Sequence, residues 1–173
     1  NGLTVFIGFM AILKEPAFNT VSVKILRYFD MIMMKDPQDK FEFYKSLPKA
    51  IGAFSQKLLE AKIIPNLVEE CHRNVKFAPV LLPTIFQAGK YFPIEEFTKH
   101  VFEPVEFLIP VLDPPQIAIA FLQSMDVIIS GTDPSIHESR VYPILFSALK
   151  STDIVLKEAL KRLPSFISKI SLN

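Results

Sequence analysis

The sequence predicts an all-α protein, an α-solenoid of about four antiparallel helix pairs stacked in chain order. Pro65, Pro104 and Pro143 lie 39 residues apart in similar apolar stretches, and a period near 40 is typical of repeated helical pairs. Apolar residues recur every three or four positions, as in helices with one buried face. No stretch alternates apolar and polar residues, so strands are not expected.

The composition agrees with stacked repeats. The chain has 173 residues, half of them hydrophobic, and its mean hydropathy is +0.31. A repeat that cannot bury its own apolar face must stack on its neighbours, so a solenoid accommodates this apolar content. It has no deep central pocket, which favours a binding scaffold over a catalyst.

The N-terminal segment, residues 1–14, is left unassigned. Gly2 to Leu13 is the most apolar stretch, but it is shorter than the roughly 20 residues of a membrane span. Lys14-Glu15-Pro16 is a poor cleavage site for a signal peptide. We expect a buried helix or strand, and no transmembrane span. Because the chain begins with Asn, we also expect it to be a fragment of a longer protein.

The rest of the chain, 15–173, is predicted to be one repeat domain. The first unit is the least regular pair, and each later unit has a proline-containing helix followed by a second helix. The last helix, from Ile154 to Leu172, has apolar residues on more than one side, so we expect the isolated chain to self-associate. The four units are 18–55, 56–92, 94–131 and 134–171.

Several helix starts are marked by their capping residues. Asp36-Pro37 and Asp133-Pro134 each place a good N-cap before a proline that fits the first helical turn. Ser135 to Glu138 is a competing capping box. Glu95-Glu96 lies in a predicted first turn, where the helix dipole favours negative charge.

The three periodic prolines are predicted to be architectural. A proline inside a helix removes one backbone hydrogen bond and collides with the preceding turn, at a cost of about 3 kcal/mol. The same position in three helices therefore predicts a shared kink.

The sequence offers no catalytic, cofactor or metal site. His72, His100 and His137 are 28 and 37 residues apart, without an HExxH or Cys-x-x-Cys partner. The five glycines form no phosphate-binding loop. The net charge of +1, without a basic stripe, argues against nucleic-acid binding. The single cysteine, Cys71, fits a reducing compartment and is predicted to be a core residue.

Three groups of side chains have two interpretations each. The pairs Glu69-Glu70 and Glu95-Glu96 are interpreted as solvated helix ends, in preference to a general acid and base. The three methionines near Phe29 are interpreted as core, in preference to an adaptable exposed surface; they are Met31, Met33 and Met34. Four basic residues are interpreted as ordinary surface charge, in preference to a ridge for acidic lipid or peptide; they are Arg73, Lys76, Lys90 and Lys99.

The order of several motifs resembles the Scy-like pseudokinase family, nearest to its branch associated with clathrin-coated vesicles. The resemblance covers about residues 15 to 170 and depends on the order of the motifs, since each alone is weak. The motifs are 25–30 (Ile-Leu-Arg-Tyr-Phe-Asp), 41–49 (Phe-Glu-Phe-Tyr-Lys-Ser-Leu-Pro-Lys), 62–67 (Lys-Ile-Ile-Pro-Asn-Leu), 77–84 (Phe-Ala-Pro-Val-Leu-Leu-Pro-Thr) and 121–126 (Phe-Leu-Gln-Ser-Met-Asp).

The resemblance implies a HEAT-repeat (armadillo-like) region that follows a kinase-like domain and precedes further repeats. It implies a non-catalytic scaffold in traffic between the trans-Golgi network and endosomes, with coat or adaptor proteins as partners. The implied location is cytoplasmic, peripheral to Golgi, endosomal or clathrin-coated vesicle membranes. The chain has none of the kinase motifs, and the binding residues are not identified by the sequence.

Two other hypotheses remain open at this point. The first is a generic HEAT-repeat adaptor, of the transport-receptor or phosphatase-scaffold type, unrelated to pseudokinases. The second is an enzyme with a site between helices, which the absence of convergent titratable residues disfavours.

Overall fold

The computed structural model describes residues 21–111 and 113–170, with side chains up to residue 168, and this part of the chain contains helices and turns without strands. The all-α helical-repeat prediction is therefore confirmed. The segment 1–14 and the first residues of the first unit lie outside the described residues. The α-helices are α1 (Val21–Met31), α2 (Pro37–Ser46), α3 (Gln56–Leu58), α4 (Ile64–Arg73), α5 (Ala78–Gly89), α6 (Ile94–Phe97), α7 (Gln116–Gln123), α8 (Met125–Gly131), α9 (Tyr142–Ala148) and α10 (Asp153–Ile170).

Shorter helical segments connect these helices into longer runs. The 3-10 segments are Ile32–Met34, Leu47–Ala53, Val75–Phe77, Glu103–Leu108 and Pro134–Ile136. The π segments are Leu59–Ile63, Thr98–Phe102 and His137–Val141. Each π segment belongs to a helical run that contains one periodic proline, and we call these three runs the proline helices; they span 56–73, 94–108 and 134–148.

The π segments repeat with the same period as the prolines. They begin at residues 59, 98 and 137, again 39 residues apart, and each proline follows six residues after the start. The N–H of the residue that ends each π turn bonds to the carbonyl five residues earlier; the pairs are Ile64 to Leu59, Glu103 to Thr98 and Tyr142 to His137. The period in the sequence is therefore a period in backbone hydrogen bonding.

The π turn explains how a proline is tolerated within a long helical run. In a regular α-helix the proline ring collides with the carbonyl four residues earlier. A π turn immediately before the proline widens the helix there, and such bulges are a known cause of helix distortion. The Asn66 side chain also donates a 2.7 Å hydrogen bond to the Lys62 carbonyl oxygen, which supplies one acceptor near Pro65 with a donor.

A second set of helices packs in chain order, and we call them the return helices: α5, the pair α7–α8, and α10. The 3-10 segment Leu47–Ala53 packs on α5, α5 packs on α7, and α7 packs on α10. Each return helix also contacts a proline helix. For example, α5 contacts α4, and α10 contacts α9. Successive units are thus joined side by side, although the boundaries of the four units stay a prediction.

The core follows the predicted helical period. Phe97, Val101, Val105 and Leu108 recur on one face of the second proline helix, and none is more than 1% exposed. Among the described residues the largest fully buried side chains are aromatic: Tyr44, Phe86, Phe97, Phe102 and Phe121. The apolar content is therefore buried within and between the units.

The ends of the first two return helices approach the second proline helix closely. Gly89 ends α5 and Gly131 ends α8. A Cβ on Gly89 would lie 2.5 Å from Phe97 Cε2, and a Cβ on Gly131 would lie 2.6 Å from Phe97 Cδ2. The Phe97 ring therefore fits between two helix ends that only glycine leaves open.

Two predicted helix starts are decided by hydrogen bonds. Asp36 caps α2, because its Oδ1 accepts from the Asp39 N–H at 2.9 Å. Asp133 begins the next run by accepting from the Ser135 N–H at 2.8 Å. The predicted capping box from Ser135 to Glu138 is wrong, because Asp133 starts the helical run earlier. Glu95-Glu96 does lie in the first turn of α6, as predicted.

The predicted burial of the methionines is wrong. Phe29 is buried, but Met31, Met33 and Met34 are 45%, 60% and 80% exposed. They lie where α1 tightens into the 3-10 segment Ile32–Met34. The change of helical period there turns them outward, while Ile32 alone in that segment remains buried.

Candidate interaction surfaces

The three histidines do not form a site. His72 stacks on Phe107 with ring centroids 3.9 Å apart, and His100 lies 3.5 Å from the Glu60 carboxylate. His137 is buried and its Nε2 lies 2.9 Å from Thr132 Oγ1. Within residues 21–111 and 113–170, no group of three potential metal ligands converges.

Cys71 is a buried core residue, as predicted, with none of its surface exposed. Burial, and secondarily the neighbouring charge of Glu70, raises the pKa of the thiol to about 12. A thiol with such a pKa is protonated at neutral pH and is a weak nucleophile. Its neighbour His72 points outward onto Phe107, so the two residues form no catalytic pair.

Glu70 is buried and forms an ion pair inside the protein, so the prediction that it lies at a solvated helix end is wrong. Its side chain is 4% exposed and its Oε1 lies 3.3 Å from Lys40 Nζ. Burial, and then the charge and hydrogen bond of Glu70, raises the pKa of the Tyr44 hydroxyl. This buried cluster joins α2 to α4 and therefore the first unit to the second. Glu69 is exposed and pairs with Arg73, one turn away.

The proline helices are connected by polar contacts between successive units, which we call the polar ladder. Its first contact is Glu60 with His100. Its second is Arg140, whose Nε and Nη2 donate to the two carboxylate oxygens of Glu106 at 2.7 and 2.6 Å. Arg140 Nη1 also donates to Glu103 at 3.2 Å.

Arg140 is held by more than charge. Hydrogen bonding to Glu106 is the largest cause that raises the pKa of its guanidinium. The guanidinium carbon also lies 5.5 Å from the centroid of the Phe102 ring. A planar bidentate pair of this kind fixes an orientation that lysine cannot reproduce. The polar ladder therefore sets the register between neighbouring proline helices.

The four basic residues considered as a ridge occupy different places. Arg73 and Lys76 precede α5, whereas Lys90 follows it, and 12 residues of α-helix span about 18 Å. Lys99 lies beside His100 in a shallow groove between the first two proline helices. The interpretation as ordinary surface charge is thus better than a single ridge.

The first unit has a largely apolar open groove between α1 and the 3-10 segment Leu47–Ala53, which we call the first-pair groove. It has a volume of about 560 Å³. Two lysines stand among its otherwise uncharged lining. The lining residues are Val21, Lys24, Ile25, Tyr28, Phe43, Ser46, Leu47, Lys49, Ala50 and Ala53.

Only part of the information needed to find these surfaces can be obtained from the sequence. The pairing of Arg140 with Glu106 depends on how neighbouring units align, although their separation of 34 residues is near one repeat. The first-pair groove exists only because α1 packs antiparallel to the segment Leu47–Ala53, and the sequence does not show this packing. An exposed methionine surface is one of two interpretations of the sequence, because the helical spacing of Met31, Met33 and Met34 also fits a core.

No helix in the described ranges is long and apolar enough to cross a membrane. The comparisons with family models gave no match, and no solved structure matches the chain. Sequence comparison with curated proteins does give matches, and their alignments cover most of the chain.

SCY1-like protein 2 of Homo sapiens is 29% identical over 158 residues, which are 91% of this chain and 17% of that protein. The protein kinase domain-containing protein ppk32 of Schizosaccharomyces pombe is 24% identical over 143 residues, or 82% of this chain and 19% of that protein. A probable inactive serine/threonine-protein kinase, scy1, of Dictyostelium discoideum is 22% identical over 158 residues, 91% of this chain and 19% of that protein.

The chain thus spans less than a fifth of the length of these relatives. The similarity runs over about nine-tenths of the chain in two of the three. It agrees with the motif order found in the sequence. The chain is therefore related, over nearly all of its length, to one region of the Scy1-like kinase-like proteins.

Proposed function

We propose that the chain is a non-catalytic HEAT-type scaffold within a Scy-like pseudokinase. It holds neighbouring parts of the parent protein in a fixed arrangement and offers an extended helical surface to protein partners. The proposed partners are coat or adaptor components that act between the trans-Golgi network and endosomes. The proposed location is the cytoplasmic side of Golgi, endosomal or clathrin-coated vesicle membranes.

The observation that carries this proposal is the side-by-side joining of successive units. The buried Lys40–Glu70 pair joins the first unit to the second, and the polar ladder joins the later ones. Contacts of this kind fix each unit relative to the next, which is what a repeat scaffold requires. A long surface made of many units binds partners by area and shape.

The absence of a convergent reactive site in the described residues agrees with a scaffold. The titratable groups there are separated, as the histidines are, or are engaged with one another, as Arg140 is with Glu106. A relative named a probable inactive kinase also favours a non-catalytic role. The relation to Scy1-like proteins favours this proposal over a repeat adaptor unrelated to pseudokinases.

The direct test is binding of the purified chain to purified coat components. Clathrin terminal domain and a heterotetrameric adaptor complex are immobilised separately, and binding of the chain is measured by biolayer interferometry. The proposal predicts saturable binding to at least one of them. An unrelated helical-repeat protein of similar size is the control for non-specific adsorption.

A second measurement tests the non-catalytic part of the proposal. Calorimetric titration with magnesium and ATP is expected to give no heat of binding. Saturable heat, or turnover of ATP that follows the chain through purification, would contradict a scaffold without activity. Absence of binding to every coat component tested would contradict the proposed partner class.

A further inference from the structure

The first-pair groove is a defined cleft between two antiparallel helical segments. At one end Ser22 Oγ donates to the Ala53 carbonyl oxygen at 3.2 Å. At the other end the rings of Tyr28 and Phe43 stack with centroids 4.0 Å apart. From residue 21 to residue 28 an α-helix advances about 10 Å. The groove is therefore about two helical turns long.

The floor of the groove is apolar and partly open to solvent. Ile25 and Leu47 are buried beneath it, whereas Val21 at its rim is 58% exposed. A volume of about 560 Å³ is within the range of roughly 300–1,000 Å³ of clefts that bind ligands. A further helix packed there would extend the arrangement by ridges in grooves, at the usual spacing of about 8–10 Å.

The charge on the rim selects the chemistry of the occupant. Lys24 and Lys49 are both exposed and line the groove, and no carboxylate does so in the described part of the chain. At the far end, burial and then the charges of Asp39 and Asp36 raise the pKa of the Tyr28 hydroxyl. The groove thus has an apolar floor and a basic rim near its middle.

We propose that the first-pair groove binds an acidic amphipathic helix of a partner protein. Two or three apolar side chains at i, i+4 and i+7 enter the groove, and flanking carboxylates face Lys24 and Lys49. This mode of recognition lays the apolar face of a helix into a hydrophobic groove. The inference rests on the proposed scaffold function and adds the chemical class of one partner segment.

Complementary charge favours this occupant over the two others considered. A membrane surface is flat or convex, so it does not enter a concave groove. Two lysines also contribute only about 1 kcal/mol each to binding at an anionic bilayer. The apolar residues 2–13 of the chain itself have no carboxylate among them. Opposite charge across an interface gives specificity, and only an acidic partner supplies it here.

The experiment uses the full chain and two fluorescein-labelled synthetic peptides. Both carry leucines at i, i+4, i+7 spacing; one has glutamates on the flanks and the other has lysines. Fluorescence anisotropy is expected to show binding of the glutamate peptide, weakened as salt screens the charges. The double variant Lys24→Glu/Lys49→Glu is expected to weaken that binding about tenfold or more and to favour the lysine peptide.

The matched control is Lys57→Glu/Lys62→Glu, which makes the same change of charge on the exposed surface of the first proline helix. It is expected to leave peptide binding unchanged. Circular dichroism of each variant shows whether its fold is retained. As a second probe, Ala53→Phe places a ring at one end of the groove without a change of charge and is expected to weaken binding of the glutamate peptide.

Three results would overturn the inference. The first is equal binding of both peptides, and the second is equal loss in the groove variant and its matched control. The third is peptide binding that appears only when Phe6, Ile7 and Phe9 are replaced by aspartate. That result would mean that the apolar segment 2–13 occupies the groove in the unsubstituted chain. If the groove variant loses the peptide but still binds a coat component, the scaffold proposal stands and that component binds elsewhere.

Discussion

The packing of Phe97 between two helix ends gives the sharpest test of how the units are joined. A Cβ at residue 131 would meet three atoms of the Phe97 ring at 2.6, 2.7 and 2.8 Å, whereas real Cβ contacts below 3.0 Å are essentially never seen. Phe97 is 1% exposed, although its side chain also lines, with Gly89 and Gly131, a cavity of about 360 Å³. Gly131→Ala therefore has to displace either the Phe97 ring or one of the two helices.

The size of the effect follows from two opposed contributions. Overpacking of a close-packed core costs about 1–3 kcal/mol, while replacing a helical glycine by alanine gains about 0.5–1 kcal/mol. Because all three contacts lie below 3.0 Å, we expect a cost in the upper half of that range, and the net loss of unfolding free energy is about 1–2.5 kcal/mol. For a chain of 150–250 residues this lowers Tm by about 2–10 °C. Urea unfolding followed by circular dichroism measures it, with the m-value unchanged.

The chain provides its own control for this experiment. A Cβ on Gly52 would meet only the hydroxyl of Tyr91, at 3.1 Å, and that side chain is 48% exposed. Gly52→Ala is therefore expected to be neutral or slightly stabilising. Adding Phe97→Leu to Gly131→Ala should relieve the collision, so the double variant should lose less stability than the sum of the single variants. An alanine at 131 that leaves stability unchanged or raises it would refute the packing argument.

Four further predictions concern the buried charge, the thiol, one helix cap and the last helix. Lys40→Met removes the cation that pairs with the buried Glu70 and leaves this side chain its hydrogen bond with Tyr44, so unfolding free energy should fall by about 3 kcal/mol. Adding Glu70→Leu should recover part of this loss, and equal loss in both variants would contradict the reasoning. The Cys71 thiol, with its pKa raised to about 12, should resist iodoacetamide at pH 8 in the native protein and react rapidly in urea; rapid native labelling would show that the site is open. Hydrogen bonds from Ser135 lower the pKa of Asp133 in the folded protein. The ionised carboxylate therefore stabilises the fold at pH values above its unfolded pKa of about 3.9, and this stabilisation is lost as the pH falls through the lower folded pKa. The stability advantage of the native protein over Asp133→Asn should therefore shrink between pH 6 and pH 3. Leu160 is 51% exposed, so sedimentation equilibrium should show self-association that Leu160→Glu weakens, and a monomer at high concentration would contradict it.

The all-α repeat fold could be predicted from the sequence because its main determinants are local. Periodic apolar residues such as Phe97 and Val101 specify which face of a helix is buried. The prolines at equal intervals marked equivalent positions in three helices. Their structural effect was less predictable, since a proline favours either a kink or a widened turn, and the choice of a π turn depends on packing in the whole helix.

The errors lie where tertiary contacts override local pattern. Glu70 had the sequence context of a surface residue, and its contacts with Lys40 and Tyr44, both earlier in the chain, allow its burial. Met33 and Met34 had helical spacing, but a short 3-10 segment changed the direction of their side chains. Interaction surfaces were the hardest features to predict. A groove is formed by two segments that are distant in sequence, and the sequence of neither segment alone indicates that the groove exists.

The most direct test of the repeating architecture is a measurement of hydrogen bonds across the three π turns. Scalar couplings through hydrogen bonds, measured by NMR on isotopically labelled protein, identify the carbonyl to which each amide is bonded. We predict couplings from the amides of Ile64, Glu103 and Tyr142 to the carbonyls of Leu59, Thr98 and His137. Couplings to the carbonyls four residues earlier, or a π turn in only one of the three helices, would contradict the 39-residue structural repeat.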